Sequence, residues 1–447
     1  MKKYLKPLFL SMLLFSQIIT CGMAGPIPNG DTQVTPIEDL RVGIGLQYRI
    51  MANGSNIPLS GVTTPAETES YNFFRQRMRI NLDIKPSDNT GGFVQLEYRG
   101  GWGGSSPASS DPRGAGLSLN AFNRLEARGV RYGYIYYTPA ADSYLAAGII
   151  PVSDQLGDTL FSADWDFNAG GIVYKGRVDR LDYRLAWVRM VDGIASSDRD
   201  VVGKDSGLYV GDADFTLSHE ARIGAHVYFL NAPEKLGTAL GIGGKITQGW
   251  YAVSGALDID SLELNGFICL NSGHYGTSDN TGTAVKLEAG IPMGEVKLDL
   301  MAIYTSGDRE GKTAHRFRTV QGIFGTEGYW AYTHIFTPNG PSDVNDMGIG
   351  IDNGGKGITT AQARLTAPLS ERLTGEFVLG WFTTTKENAA GDSTMGTEVS
   401  AMGTYALAKD LSLQLGAAYA FLGDFYKTGN DEPENLYEIF SRLQLQF

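Results

Sequence analysis

The chain has 447 residues, a formal net charge of −12, 58 glycines and 22 tyrosines. This acidic balance argues against a nucleic-acid partner, because nucleic-acid binding relies on basic side chains that neutralise phosphates. After the N-terminal region no stretch of about eighteen consecutive apolar residues occurs, so the sequence predicts no membrane-spanning helix.

The N-terminal region has the pattern of a secretory signal peptide. Lysines at positions 2, 3 and 6 precede a mostly apolar stretch at 8–19, and the small-residue site Gly22-Met23-Ala24 follows it. A positive segment, a short apolar segment and a small-residue cleavage site are the three parts of such a peptide. We predict a signal peptide at 1–24 and an exported domain at 25–447. That domain keeps one cysteine, Cys269, so no internal disulfide is expected.

Apolar and polar residues alternate along most of the remaining chain. Val42, Ile44 and Leu46, for example, are separated by glycine or polar residues. Successive side chains of a strand point to opposite faces, so this period predicts strands with one oily and one polar face. The predicted strands are 41–50, 73–85, 91–100, 129–137, 143–150, 171–178, 181–190, 207–217, 220–230, 250–259, 261–270, 282–290, 295–305, 358–367, 371–384, 396–407, 410–422 and 435–447. The ambiguous stretch 236–247 is interpreted as loop, because single-chain bacterial barrels have an even strand number.

Short and long connections alternate between these strands. The short ones, such as Thr138-Pro-Ala-Ala-Asp142, consist of turn-forming residues. The long ones span about 51–72, 101–128, 151–170, 191–206, 231–249, 271–281, 306–357, 385–395 and 423–434. Membrane barrels show this asymmetry, whereas a soluble sandwich needs a second sheet to cover each oily face. We therefore predict an all-β fold, a transmembrane antiparallel β-barrel of about 18 strands with periplasmic N- and C-termini.

If the oily face contacts lipid, the polar face lines the lumen, and its charges are unevenly distributed. The first nine strands carry twelve basic and five acidic residues on that face, and the last nine carry four basic and seven acidic residues. Rings of basic side chains favour anions, and arginine offers two parallel donors to carboxylate or phosphate. The residues expected to line the pore and set its selectivity are Arg49, Arg75, Arg77, Arg79, Arg99, Arg131, Arg177, Arg184, Glu376 and Glu398. The alternative is that these charges pair with one another and only stiffen the barrel.

Two of the long connections have a distinctive composition. The 306–357 connection is rich in aromatic side chains, including Trp330 and Tyr332. A long aromatic loop could fold into the pore, form an outer lid or contact a neighbouring subunit. The 151–170 connection contains four aspartates, but their spacing matches no calcium-binding loop. We interpret it as a solvated or constriction loop and predict no metal site.

Three segments resemble known outer-membrane proteins. The alternating strand 437–447, with Phe447 last, resembles the closing strand of Gram-negative outer-membrane β-barrels. Tyr304-Thr-Ser-Gly-Asp308 and Gly423-Asp-Phe425 resemble segments of the porin and alginate-export-like families. The resemblance implies a Gram-negative outer-membrane location, contact with lipid and lipopolysaccharide, and a pore for small hydrophilic solutes. It leaves a homotrimer open.

The basic lumen favours anionic solutes, which leads to the prediction of a porin for passive diffusion of small hydrophilic anions. Export of an acidic polysaccharide, as in alginate-export-like barrels, is one alternative. A barrel that adheres to or sheathes a protein partner is another. The chain has no C-x-x-C-H motif for covalent haem, and no cofactor is expected.

An enzymatic function is the last alternative. The sequence has five histidines, and of these only His226 falls on a lumen-facing strand position. Nucleophilic catalysis needs a nucleophile, a base and an orienting group within reach of one another. The sequence shows no Ser or Asp that convincingly completes such a set with His226, so we expect the protein not to be an enzyme.

Overall fold

The computed structural model describes residues 40–57, 70–102, 126–164, 166–191, 205–308, 315–324, 330–337, 346–427, 429 and 431–447. The predicted signal peptide at 1–24 lies outside these residues and stays a prediction. The chain divides into a unit of residues 1–40 and a unit of residues 41–447, and every strand of the described residues belongs to the second unit. Among the described residues, no helix is both long and apolar enough to cross a membrane.

The second unit forms a sheet of eighteen strands, as the alternating pattern predicts. The strands are β1 (Arg41–Ser55), β2 (Tyr71–Lys85), β3 (Thr90–Gly101), β4 (Glu126–Tyr137), β5 (Ser143–Pro151), β6 (Asn168–Val178), β7 (Leu181–Val191), β8 (Ser206–Thr216), β9 (Ala221–Ala232), β10 (Ile246–Ile259), β11 (Leu262–Tyr275), β12 (Ser278–Met293), β13 (Val296–Thr305), β14 (Thr359–Ser370), β15 (Leu373–Thr383), β16 (Thr394–Ala406), β17 (Leu411–Leu422) and β18 (Leu436–Gln446). Within the described residues, the connections contain two short α-helices, α1 (Glu234–Ala239) and α2 (Val320–Ile323), and two 3-10 turns at Asn353–Gly355 and Asp424–Tyr426.

The sheet is antiparallel throughout and closes on itself. Each strand pairs with its neighbours in the sequence, and β1 also pairs with β18 in a register that sets Gln47 opposite Gln446. Phe447 extends that ladder: its N–H donates to Leu46 O at 3.0 Å, and its carbonyl accepts from Leu46 N–H at 2.9 Å. A closed barrel has no unpaired edge, which is what the interior of a bilayer requires of a sheet.

Alternation along the strands separates two environments. On one face apolar side chains stay exposed, such as Ile44 at 67% and Ile135 at 71%. On the other face charged residues are buried: Arg49 is 6% exposed and Glu398 is 0% exposed. Because a membrane barrel turns its apolar residues towards lipid, the face with Arg49 and Glu398 is the inner one.

Two of the predicted long connections, 231–249 and 271–281, are shorter in the structure because the flanking strands extend into them. The 271–281 stretch, predicted as a long connection, is mostly strand, because β11 and β12 continue to a turn at Gly276 and Thr277. Gly276 has a φ of 68°, which a residue without a Cβ adopts at little cost. Polar residues near this turn interrupt the oily alternation and hide the strand ends from pattern reading. The ambiguous 236–247 stretch contains the end of α1 and the start of β10, so it adds no strand.

Two of the connections that the structure describes extend far into the barrel interior. The first inward segment comprises the described residues of 152–167, and the second comprises the described residues of 315–358. Leu160 and Phe161 of the first and Trp330 and Phe336 of the second belong to one buried apolar cluster with inner-face side chains. The indole N–H of Trp250 on β10 donates to Arg318 O at 2.7 Å. Of the three placements considered for the 306–357 connection, these contacts support the inward one.

Candidate functional site

A row of three arginines crosses the inner face of the first three strands. Arg49 on β1 lies opposite Arg77 on β2, and Arg77 lies opposite Arg99 on β3. Neighbouring strands are about 4.8 Å apart, so the row holds three positive charges side by side. Like charges directly opposite each other on a sheet are destabilising. Three guanidiniums side by side attract anions, which makes the row a candidate binding site for anions.

Three more arginines extend this row into a wall. Arg75 and Arg79 flank Arg77 on the same face of β2, and Arg131 lies on β4. We refer to Arg49, Arg75, Arg77, Arg79, Arg99 and Arg131 as the basic wall. The Arg75 guanidinium stacks over the Phe73 ring at 4.3 Å, and Arg77 Nη2 donates to Gln47 Oε1 at 3.3 Å. Arg49 Nε donates to Gln444 Oε1 at 3.0 Å across the β1–β18 seam.

Two carboxylates hold part of the basic wall in place. Glu97 on β3 accepts from Arg79 Nε at 2.6 Å and from Arg99 Nε at 2.5 Å. Asp166 of the first inward segment accepts from Arg99 Nη2 at 2.8 Å and from Arg131 Nε at 3.2 Å. Arg131 also donates to Ala163 O at 2.6 Å. Pairing therefore stiffens this wall, but it also fixes the orientation of the guanidiniums.

The first inward segment is ordered by a buried aspartate. Asp154 accepts the backbone N–H groups of Leu156, Leu160 and Phe161. Burial raises the pKa of Asp154 to about 6, against the opposite effect of these three hydrogen bonds. For Asp166 the balance differs: burial would raise its pKa, but the Arg99 and Arg131 guanidiniums outweigh that effect and lower it. Asp166 is thus held as an anion against the wall.

The other predicted site residues lie away from the basic wall. Arg177 on β6 forms two bonds with Asp182, at 2.6 and 2.9 Å, and its side chain is 57% exposed. Arg184 on β7 bonds to Asp212 at 2.7 Å and is buried. Glu376 is on the inner face of β15, where it interacts electrostatically with Arg364. The structure therefore groups six of the ten predicted residues and separates four from them.

Glu398 has a position that the sequence did not indicate. Its carboxylate is fully buried beneath the second inward segment and accepts the backbone N–H groups of His334, Ile335 and Phe336, at 2.6, 3.0 and 2.9 Å. It anchors that segment to β16 and does not line an open passage. Burial, with a smaller contribution from Arg442, lowers the pKa of His334 to about 4, so this imidazole is neutral at physiological pH.

Tyr332 of the second inward segment contacts the inner wall and was not among the predicted site residues. Its hydroxyl donates to Glu288 Oε1 at 3.2 Å on β12, and its ring lies 4.2 Å from the Arg364 guanidinium. Arg364 in turn donates to Asp299 at 2.9 Å. Aromatic content was the signal that marked this connection, but its contacts depend on side chains from three distant strands.

The expectation that no Ser or Asp completes a set with His226 is wrong. Both an aspartate and a serine lie within hydrogen-bonding distance of its ring: Nδ1 is 2.8 Å from Asp212 Oδ1, and Nε2 is 2.8 Å from Ser254 Oγ. The three residues are on β8, β9 and β10, so strand pairing and not sequence proximity brings them together. Within the described ranges, no three His, Cys, Asp or Glu side chains converge as ligands for a metal ion.

Comparison with known proteins identifies the fold. No protein-family model matches the chain, and no curated protein matches its sequence. The BenF-like porin from Pseudomonas fluorescens superimposes with a TM-score of 0.58 over 92% of this chain and 99% of that chain, at 11% identity. The chain has the fold of an outer-membrane porin. The porin fold is shared with OccK1 (OpdK) of Pseudomonas aeruginosa (TM-score 0.56, 13% identity, 92% of this chain, 99% of that chain). It is also shared with OccAB1 of Acinetobacter baumannii (TM-score 0.55, 14% identity, 92% and 97%).

Proposed function

We propose that the protein is a channel of the Gram-negative outer membrane for passive diffusion of small hydrophilic solutes, with a preference for anions. The row of Arg49, Arg77 and Arg99 is the observation that carries the anion preference. A mobile anion near this row offsets the repulsion between its guanidiniums. Arg99 keeps 37% of its side chain exposed while bonded to Glu97 and Asp166, so its charge reaches the lumen.

One structure of a porin with the same fold is consistent with this solute class. One structure of Pseudomonas aeruginosa OpdK, with a TM-score of 0.55 and 13% identity to this chain, was solved with vanillate. Vanillate is a carboxylate, and planar guanidinium groups bind carboxylates with two parallel hydrogen bonds. A small organic carboxylate is therefore the kind of solute that fits the basic wall.

The two inward segments favour small solutes over a polymer. Their buried aromatic side chains occupy part of the barrel interior and narrow it, which disfavours export of a polysaccharide chain and enclosure of a protein partner. The exposed aliphatic face, with residues such as Ile44 and Ile268, is suited to lipid. Contact with lipopolysaccharide and assembly into a homotrimer stay predictions.

Ion selectivity in a planar bilayer tests the proposal. Purified protein is inserted under a potassium chloride gradient, and the zero-current potential is recorded for wild type, Arg77→Gln and Arg99→Gln. We expect a stepwise conductance that prefers chloride, and a smaller preference in each variant. Arg177→Gln is the matched control, because this arginine is exposed and paired with Asp182 outside the basic wall.

Three results would contradict the anion selectivity, its location in the row or the channel itself. A cation preference of the wild type contradicts the anion selectivity but keeps the channel. An equal loss in the Arg177 variant and in the wall variants places selectivity in the total charge and not in the row. A protein that inserts without conducting contradicts the channel itself.

A further inference from the structure

Asp212, His226 and Ser254 form a hydrogen-bonded relay on the inner wall. Asp212 and His226 are directly opposite each other on β8 and β9, and Ser254 on β10 lies opposite Gly224 of β9. Nδ1 of His226 contacts Asp212 Oδ1, and Nε2 contacts Ser254 Oγ, each at 2.8 Å. The His226 side chain is fully buried, whereas Ser254 is half-buried.

The hydrogen bonds to Asp212 fix the orientation and the tautomer of this histidine. Asp212 also accepts from the Tyr228 hydroxyl at 2.7 Å and from Arg184 Nε at 2.7 Å, so it is held as an anion with both oxygens used. An ionised carboxylate only accepts, so Nδ1 of His226 carries the proton. In the neutral ring Nε2 is then the acceptor, and the Ser254 hydroxyl donates to it. This is the arrangement of an activated serine: nucleophile, general base and orienting carboxylate.

Gly224 provides the space in which these groups meet. A Cβ placed on this residue would lie 2.4 Å from Ser254 Oγ, 2.5 Å from His226 Nε2 and 2.6 Å from Asp214 Oδ1. Any side chain at this position would separate the imidazole from the serine. Asp212 and Asp214 also line a cavity of about 520 Å³ on the inner wall, together with Tyr183. This cavity reaches the relay at its carboxylate, Asp212, and the half-buried Ser254 keeps part of its own surface accessible.

We propose that Asp212, His226 and Ser254 form a hydrolytic site in the wall of the channel, with Ser254 as nucleophile towards small uncharged carboxylic esters. Asp214 beside the serine disfavours an anionic acyl group and stabilises the imidazolium that forms during the reaction. Arg222 lies two residues before Gly224 on the same face of β9. Its positive charge would stabilise the negative oxygen of the tetrahedral intermediate. This inference does not depend on the ion selectivity proposed for the pore.

Ester hydrolysis at this site needs no reactant other than the ester and water. Ser254 Oγ attacks the ester carbonyl carbon while its proton passes to His226 Nε2. The bond from the carbonyl carbon to the alcohol oxygen breaks, and the imidazolium gives its proton to that oxygen. Water then attacks the seryl ester and loses a proton to His226, which returns it to Ser254 Oγ as the acid leaves. One ester and one water become one acid and one alcohol.

A fluorophosphonate probe tests this assignment on the full-length protein in detergent. We expect covalent labelling at Ser254, located by mass spectrometry of peptides, and slow hydrolysis of p-nitrophenyl acetate. Ser254→Ala should abolish both, and His226→Gln should lower the labelling rate by about 100-fold, as expected for loss of a general base. Ser400→Ala is the matched control, since Ser400 is a buried serine of β16 on the same inner face, and it should leave the labelling unchanged.

Asp212 is a positioning residue, and its variant needs a readout beyond the rate. In Asp212→Asn the amide can donate to Nδ1 and place the ring proton on Nε2, so the dependence of labelling on pH should change shape and not only amplitude. Conductance of each variant shows that the barrel is folded. Wild-type protein without label at Ser254 overturns the proposal, as does labelling that His226→Gln leaves unchanged.

Discussion

Replacing Glu398 with alanine is expected to release the second inward segment from the barrel wall. The carboxylate accepts three buried backbone N–H groups, and alanine leaves all three without an acceptor. Leaving a buried N–H group without an acceptor costs about 1–3 kcal/mol, so the three together stabilise the inward position by roughly 5 kcal/mol. Since each 1.4 kcal/mol is about a tenfold change in an equilibrium constant, this loss changes the ratio of packed to released segment more than a thousandfold.

Single-channel recording and hydrogen exchange measure the effect. We expect Glu398→Ala to show a larger or noisier conductance and faster exchange of the His334, Ile335 and Phe336 amides. Glu398→Gln should be intermediate, because its carbonyl still accepts while its amide group faces N–H donors; we expect a loss of about 2 kcal/mol. Glu376→Gln is the control, an inner-face acid of β15. Unchanged conductance together with unchanged exchange in Glu398→Ala would refute the anchoring role.

Three further outcomes follow from the structure. Packing lowers the pKa of His334 from 6.5 to about 4, so only the released segment binds a proton between these two pH values. The packed segment is therefore fully stable above pH 6.5 and loses up to about 3 kcal/mol as the pH falls from 6.5 to about 4. Conductance recorded against pH should show this loss in the wild type, and His334→Gln should not show it. Asp154→Ala leaves three backbone N–H groups of the first inward segment unsatisfied, so the Leu160 and Phe161 amides should exchange faster while the barrel stays closed. Gly396 has a φ of 139°, and a Cβ there would clash with Phe421 O, so Gly396→Ala should lower the melting temperature. Gly403→Ala is the control and should be tolerated, because the nearest atom to a Cβ at Gly403 is 3.6 Å away.

Strand positions were predictable because each strand carries its own two-residue period. The oily face in contact with lipid imposes that period on every strand, and eighteen strands follow from it. The pattern weakens where strands extend past the apolar band, which is why the β11–β12 turn at Gly276 was interpreted as part of a long connection. Periodicity reports the environment of each face, not the hydrogen bonding of the backbone.

The composition of the basic wall was predictable, but its arrangement was not. Alternation assigns Arg49, Arg77 and Arg99 to one face, yet only the register between strands sets them side by side. The same limit hid the contacts of His226, whose partners lie 14 and 28 residues away along the chain. Glu398 was misplaced for a different reason: its partners are backbone groups of a connection more than sixty residues away, and no side-chain pattern encodes them.

The pairing of β1 with β18 has a consequence for the order of assembly. Gln47 and Gln446 are hydrogen-bonded although 399 residues separate them. Contacts of such separation carry a large loop-closure entropy and form late. Until they form, β1 and β18 are two sheet edges whose N–H and C=O groups have no partners, and such edges pair readily with other chains. Closure of the β1–β18 seam is thus the folding step before which the barrel is most prone to aggregate. A factor that covers the free edge of β1 until β18 pairs with it would protect the whole fold.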